Sequence, residues 1–156
     1  MVGLMEFVVP TQADTGYINI TQKVEQLVES SGIGSGTAFI ITAHTTTGIT
    51  VNEALECLQS DMCEAIAALA PEMRKYSHAR MLHSYGQSAD NAPSHIRAML
   101  TNNHAVFPVK NGKLHRGKAQ ELFLAEFDGP QDRRVVVVVL GDEAHTCQER
   151  TNEVVS

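Results

Sequence analysis

A chain of 156 residues makes one domain, long enough to bury a core without disulfide or metal staples. Its formal net charge of −6 argues against a nucleic-acid surface, which needs clustered Lys and Arg. With no Trp and 5% aromatic residues, the core must come mostly from Val, Ile, Leu, Met and Ala.

Met5 to Val9 predicts a first strand closed by Pro10, and Gly16 to Ile20 a second. Thr21 is placed to cap a helix whose Val24, Leu27 and Val28 share one stripe, with Gly32, Gly34 and Gly36 ending it. Thr37 to Glu53 then carries the densest chemistry. An apolar strand signal over Ala38, Phe39, Ile40 and Ile41 runs into His44, Thr45, Thr46, Thr47 and Gly48. A second extended piece, Ile49-Thr50-Val51, ends on Asn52 and Glu53. Strands hold side chains at fixed depths, so polar groups at a strand's end can be aimed at a ligand. Thr also favours strands where no ligand is involved.

A helix is expected from Glu56 to Leu69, with Leu58, Met62, Ile66 and Leu69 on an apolar face and Pro71 beyond its end. Cys57, Cys63 and Cys147 have no paired metal spacing and form no CxxC, which suggests reduced thiols in a cytoplasmic protein. No leader signal and no apolar run of membrane-spanning length stand in the sequence, so no membrane partner is expected. Arg74 to Ile96 has little apolar content and no period, which predicts a long loop. It holds His78, His83 and His95, and imidazole is both a metal ligand and a side chain that titrates near neutral pH.

The rest is β-rich. Val106 to Val109, Asn111-Gly112 and Lys113 to His115 predict a hairpin on a type I′ turn. Ala119 to Phe127 alternates, with Leu122, Leu124 and Glu126 on one face and Phe123, Ala125 and Phe127 on the other. Asp128-Gly129-Pro130 turns the chain into Arg134 to Leu140, whose run of five valines predicts a central strand covered on both sides. The sum is an α+β domain, a β-rich sandwich of antiparallel or mixed sheets with two main helices, over residues 1–142. Residues 143–156 read as a polar C-terminal tail.

HTTTGITVNE at 44–53, Tyr76-Ser77-His78, DNAPSHI at 90–96 and NGKLHRGKAQELFLAEFDGP at 111–130 resemble, in order, motifs of the YjbQ family. These small proteins are described as a secondary thiamine-phosphate synthase family, and the resemblance covers about residues 5–142. It implies an α+β sandwich, a homotrimer, and pockets at subunit boundaries lined by the histidine motifs. It also implies a weak activity joining the pyrimidine and thiazole halves of thiamine phosphate. His44, Asn52 and Glu53 match the first motif, His78 and His95 match the two later histidines, and Ser94 and Gln120 fall on motif positions. Two departures stand out. The family's usual Gly-Thr-Trp-Gln is Gly117-Lys118-Ala119-Gln120 here, which removes an aromatic wall, and the interval from His78 to His95 carries an insertion within Ala79 to Gln87.

The implied reaction is substitution at a pyrimidine methylene with pyrophosphate leaving. It asks for stabilisation of leaving-group charge more than for a nucleophilic side chain. Two arrangements of the same residues would supply it. His44, His78 and His95 as three neutral ligands would leave an open position on a divalent metal, zinc or magnesium, with Glu53 or Asp90 orienting an imidazole or acting as a base. Protonated, those histidines would instead hold a small phosphorylated molecule, with Thr45, Thr46 and Ser94 donating hydroxyl hydrogen bonds and Asn52 and Gln120 at ligand-facing motif positions. The competing class is a non-catalytic trimeric small-molecule or phosphate-binding protein of the same fold. The missing Trp favours it, and the retained histidines and Glu53 favour an enzyme. An acyl hydrolase would need a GxSxG, which is not present.

Overall fold

The computed structural model describes residues 1–80 and 91–143. Along the chain these form β1 (Val2–Pro10), β2 (Gly16–Asn19), α1 (Thr21–Ser30), β3 (Ile33–Thr42), β4 (Thr47–Asn52) and α2 (Glu56–Leu69). A single turn α3 (Ser77–Arg80) and the helix α4 (Ala92–Thr101) follow. Then come β5 (His104–Lys110), β6 (Lys113–Leu114), β7 (Glu121–Glu126) and β8 (Asp132–Glu143). Glu143, expected to open the polar tail, closes β8 opposite Ile33, and the rest of the expected tail, residues 144–156, lies outside the described residues. Among the described residues no helix is long and apolar enough to cross a membrane.

The strands form two antiparallel sheets, ordered β1-β8-β3-β5-β6 and β2-β7-β4. Alternation along each strand sends one set of side chains into the space between the sheets. Val135, Val137 and Val139 of β8, with Ala38 and Ile40 of β3, meet Ile49 of β4 and Leu122 and Leu124 of β7 there. Val24 and Val28 of α1 complete that core, so α1 shares a layer with the smaller sheet. The opposite face of the smaller sheet carries Tyr17, Ala125 and Phe127, which pack against Ile66 of α2 and Ala98 of α4. Asn111 and Gly112, at φ 54° and 74°, make the turn between β5 and β6, as the Asn-Gly pair predicts.

Four expectations change. Thr21 is the first residue of α1 rather than its cap, and its Oγ1 accepts the Leu122 N–H at 2.8 Å, tying the helix to β7. The glycines after α1 do not delay the next strand, because Gly34 and Gly36 lie within β3. α2 occupies the expected residues, yet none of its side chains is fully buried. α4 lies inside and beyond the stretch expected to be a loop. Its buried positions are Ala92, Pro93, Ser94, Arg97 and Ala98, small or polar residues that leave no apolar period to read, although Pro93 is a good helix-start residue.

The outer face of the larger sheet also differs from expectation. Val136 and Val138 are half-buried and Leu140 is 40% exposed, so β8 is central but covered on one side within the chain. Leu4, Val138, Phe39 and Val106 form one row across four strands of that face, and Leu4 is 69% exposed.

α4 reaches β5 through Asn102 and Asn103. A Cβ on Gly48 would lie 2.7 Å from the Thr101 side chain, so glycine is what lets the end of α4 settle on β4. The Asn102 carbonyl accepts the Ile49 N–H and the Asn103 carbonyl accepts the Thr42 N–H, both at 3.0 Å. Asn102 itself sits at φ 70° and ψ 157°, a region costly for any residue with a side chain. Asn102→Gly is therefore expected to stabilise the protein by about 1 kcal/mol and raise its melting temperature by about 2–4 °C. A lower melting temperature in a thermal scan would show that the asparagine side chain holds the junction in place.

Candidate functional site

Residues 43–46 carry the chain from β3 in one sheet to β4 in the other. Beneath this loop lies a buried ion pair between the end of β7 and the start of β8. Arg133, 3% exposed, donates from Nε to Glu126 Oε2 and from Nη2 to Glu126 Oε1, both at 2.6 Å. Glu126 also accepts the Thr11 hydroxyl and the backbone N–H groups of Phe127 and Asp128, each at 2.9 Å. Burial alone would push this carboxyl up, but the bonds from Arg133, the Asp128 N–H and Thr11 outweigh it and hold it below the ordinary carboxylate value. From the same guanidinium Nη2 donates to Thr46 Oγ1 at 3.2 Å, and the Phe127 N–H donates to the Thr46 carbonyl at 3.2 Å. The ion pair thus anchors the loop through Thr46.

The other anchor is His44. The Ala43 N–H donates to the Arg134 carbonyl at 3.1 Å, and the Arg134 N–H donates to His44 Nε2 at 2.8 Å. The imidazole takes the place of the next backbone acceptor and extends the β3–β8 ladder past the point where the β3 backbone turns away. Partial burial first, then the charges of Arg133 and Arg134, keep His44 below the ordinary histidine value, with Glu126 opposing them.

His44, Thr45 and Thr47 line one wall of a cleft of about 500 Å³. Its other wall is α4, through His95, Ala98 and Met99, with Asn102 and Asn103 just beyond the helix end. Those α4 positions follow the three- and four-residue steps of one helical face. His95 also borders a neighbouring cleft of about 460 Å³ lined by Tyr76, Ser77, His78, Ala92 and Ile96. There the His78 and His95 rings meet edge to face with centroids 5.5 Å apart. His95 is therefore the shared wall, with His44 on one side and His78 on the other.

Ser94 is buried in the first turn of α4, where its N–H donates to the Asn91 carbonyl at 3.0 Å. Asn91 Nδ2 in turn donates to Asp128 Oδ2 at 2.9 Å, linking the start of α4 to the turn after β7. Asn52, Glu53 and Gln120 stand apart from the histidines. The rise along β4 puts Glu53 about 20 Å from Thr47 in the strand direction. Glu53 is exposed, and its N–H donates to Asn52 Oδ1 at 2.9 Å. Gln120 lines a third cleft, about 370 Å³, with Thr50, Val51 and His104. Asp90 and His83 lie outside the described residues.

A three-histidine metal centre needs three lone pairs converging on one point. The Nε2 lone pair of His44 is engaged by the Arg134 N–H, and a neutral imidazole so engaged carries its proton on Nδ1. His44 then offers no free lone pair. Among the described residues no group of three His, Cys, Asp or Glu side chains is placed to hold a metal ion. The residues described do not fit a shared three-histidine ion.

Sequence reading did not find the Glu126–Arg133 pair, nor Met99, Asn102 and Asn103 as cleft residues. One signal for the pair was available: Glu126 falls in phase with Leu122 and Leu124, so its carboxylate had to point inward and needed a cation there.

The family model described as "UPF0047 protein YjbQ-like" matches residues 5–142. A UPF0047 protein of Archaeoglobus fulgidus is 38% identical over 136 residues, 87% of this chain and 100% of the relative. One from Methanothermobacter thermautotrophicus is 36% identical, covering 80% of this chain and 82% of the relative. Among solved structures, a YbjQ-like protein of unknown function from Sulfolobus solfataricus superposes with a TM-score of 0.84 at 36% identity, over 91% of this chain and 99% of that one. A yjbq/upf0047 family protein from Clostridium acetobutylicum gives 0.78 at 33% identity, over 87% and 99%.

Proposed function

The chain belongs to the UPF0047 YjbQ-like family, and on that premise we propose that the cleft between His44 and His95 binds a small phosphorylated molecule and supports a thiamine-phosphate-synthase-like transfer. The observation that carries this reading is the convergence of His44, Thr45 and Thr47 with the His95 face of α4 in one cleft, with His78 against the far side of His95. In the proposed reaction the thiazole nitrogen attacks the pyrimidine methylene carbon. The C–N bond forms, the C–O bond to pyrophosphate breaks, and its electron pair leaves with the pyrophosphate. Charge grows on the departing oxygens, and the imidazole and hydroxyl hydrogens of the cleft are suited to stabilise it. The separation of Asn52, Glu53 and Gln120 from the histidines supports a pocket shared between copies, in which one chain supplies the far end of β4 and another the histidine cleft. The bare apolar face of the larger sheet supports a homotrimer as the assembly that brings them together.

The test is direct. Purified protein is incubated with the pyrimidine pyrophosphate and the thiazole phosphate, and thiamine phosphate is measured after oxidation to a fluorescent thiochrome. Product above the protein-free control is expected, with a loss of about tenfold or more in His95→Ala. Absence of product together with saturable binding of thiamine phosphate would replace the transferase with the binding-protein reading.

A further inference from the structure

We infer that His44 serves its cleft as a neutral Nδ1–H hydrogen-bond donor, fixed in that tautomer by the Arg134 backbone, and that the group it recognises is a phosphate oxygen rather than a metal ion. This rests on the reading of the cleft as a site for a phosphorylated molecule and says how one residue would do the recognising.

The first support is the direction of one bond. A backbone N–H can only donate, so the Arg134 N–H at 2.8 Å requires a lone pair on His44 Nε2. A neutral imidazole has one N–H, which then stands on Nδ1. The partner cannot easily swing away, because the Ala43 N–H donates to the Arg134 carbonyl beside it and Thr46 is held by Arg133 Nη2. The loop is tied on both sides of His44, and the tie leaves the tautomer no alternative while that bond persists. A metal would have to displace the Arg134 N–H or strip the remaining proton from a neutral ring.

The second support is the composition of the walls. His44, Thr45, His95, Asn102 and Asn103 supply polar groups of the cleft that each carry a donor, while the buried Thr47 hydroxyl beside them is paired with that of Thr42. No carboxylate is among the described residues lining it, although the chain as a whole has 18 Asp and Glu against 12 Lys and Arg. Cation sites gather carboxylates or free imidazole nitrogens, whereas oxyanion sites gather N–H and O–H groups.

Two measurements decide it. A long-range proton–nitrogen correlation spectrum of ¹⁵N-labelled protein distinguishes protonated from unprotonated ring nitrogens. His44 should show a protonated Nδ1 and an unprotonated Nε2, and inorganic phosphate should shift the Nδ1 signal. A protonated Nε2, or signals that do not respond to phosphate, would overturn the assignment. The second measurement uses variants that mimic one nitrogen each. His44→Gln places an oxygen near the ε position and should keep the Arg134 bond, yet lose about tenfold or more in phosphate affinity. His44→Asn places an N–H near the δ position and should stay within about threefold of wild type while melting a few degrees lower, roughly the effect of one lost hydrogen bond. The reverse order of affinities would overturn the proposal. So would zinc binding, tested with the metal alone, that is present in wild type and absent in His44→Ala. Turnover enters none of these readouts. A protein that makes no thiamine phosphate but shows this nitrogen pattern and this variant order loses the transferase reading and keeps the donor assignment.

Discussion

Arg133→Met should destabilise the protein by about 3–5 kcal/mol, the usual consequence of leaving a buried charge without its partner. For a chain of this size that lowers the melting temperature by on the order of 10 °C. The Glu126 carboxylate is 1% exposed, and without the guanidinium it would keep only the Thr11 hydroxyl and two backbone N–H groups. Replacing both partners, as Glu126→Leu with Arg133→Met, should recover much of the loss, because two buried apolar groups need no compensation. The pH dependence provides an independent check. In the native protein the Glu126 carboxyl lies below its ordinary value of 4.5, so the folded state binds fewer protons than the unfolded. Its stabilisation is complete above about pH 4.5 and disappears as pH falls through the lower folded value. In Arg133→Met burial acts with less opposition and raises that carboxyl, so the contribution of this group should reverse and the variant should gain stability on mild acidification. Urea titrations at neutral and acidic pH measure both slopes, and parallel pH curves for the two proteins would show that the pair is not the origin of acid lability. Thr46 loses its Arg133 bond in the same variant, so the loop that presents His44 should loosen with it.

The second large effect concerns the apolar face. Val138 sits in the middle of the Leu4, Val138, Phe39 and Val106 row, half-buried by its own chain. If three copies cover that face against one another, Val138→Lys places an ammonium group in each contact between the apolar Leu4 and Phe39, at a cost of several kcal/mol per assembly. Light scattering on the wild type should report about three times the 17.0 kDa chain mass, and Val138→Lys should fall to the chain mass. The helical signal in circular dichroism should persist, because Val138 does not point into the core between the sheets. A wild-type mass equal to one chain would remove both the trimer and the shared pocket. A variant that stays trimeric would move the interface to another face.

Much of the fold is legible in the sequence because its signals are local. The valines of β8, the alternation of β7 and the Asn-Gly turn each report a backbone conformation set by neighbouring residues. The family is legible for a related reason: its motifs are short runs whose order and spacing survive in one dimension, and the matched model covers residues 5–142. α4 is not legible, because the positions it buries are Ala92, Pro93, Ser94, Arg97 and Ala98, which leave no apolar stripe. The inward phase of Glu126 could be read from β7, but not the identity of its partner.

What the sequence by itself determined, then, is the family, a set of candidate residues and the β3–β4 stretch that bears the first of them. Tertiary structure alone decided how those residues meet. The state of His44 depends on an N–H that is 90 positions away, brought there by the pairing of β3 with β8. His95 reaches the same cleft only because Gly48 lets the end of α4 lie against β4. Asn52 and Glu53, in the same motif as His44, are carried to the far end of an extended strand. Nearness along a strand is a separation of about 3.3 Å per residue in space, while nearness across a sheet is set by hydrogen-bond register, which no single stretch of sequence contains.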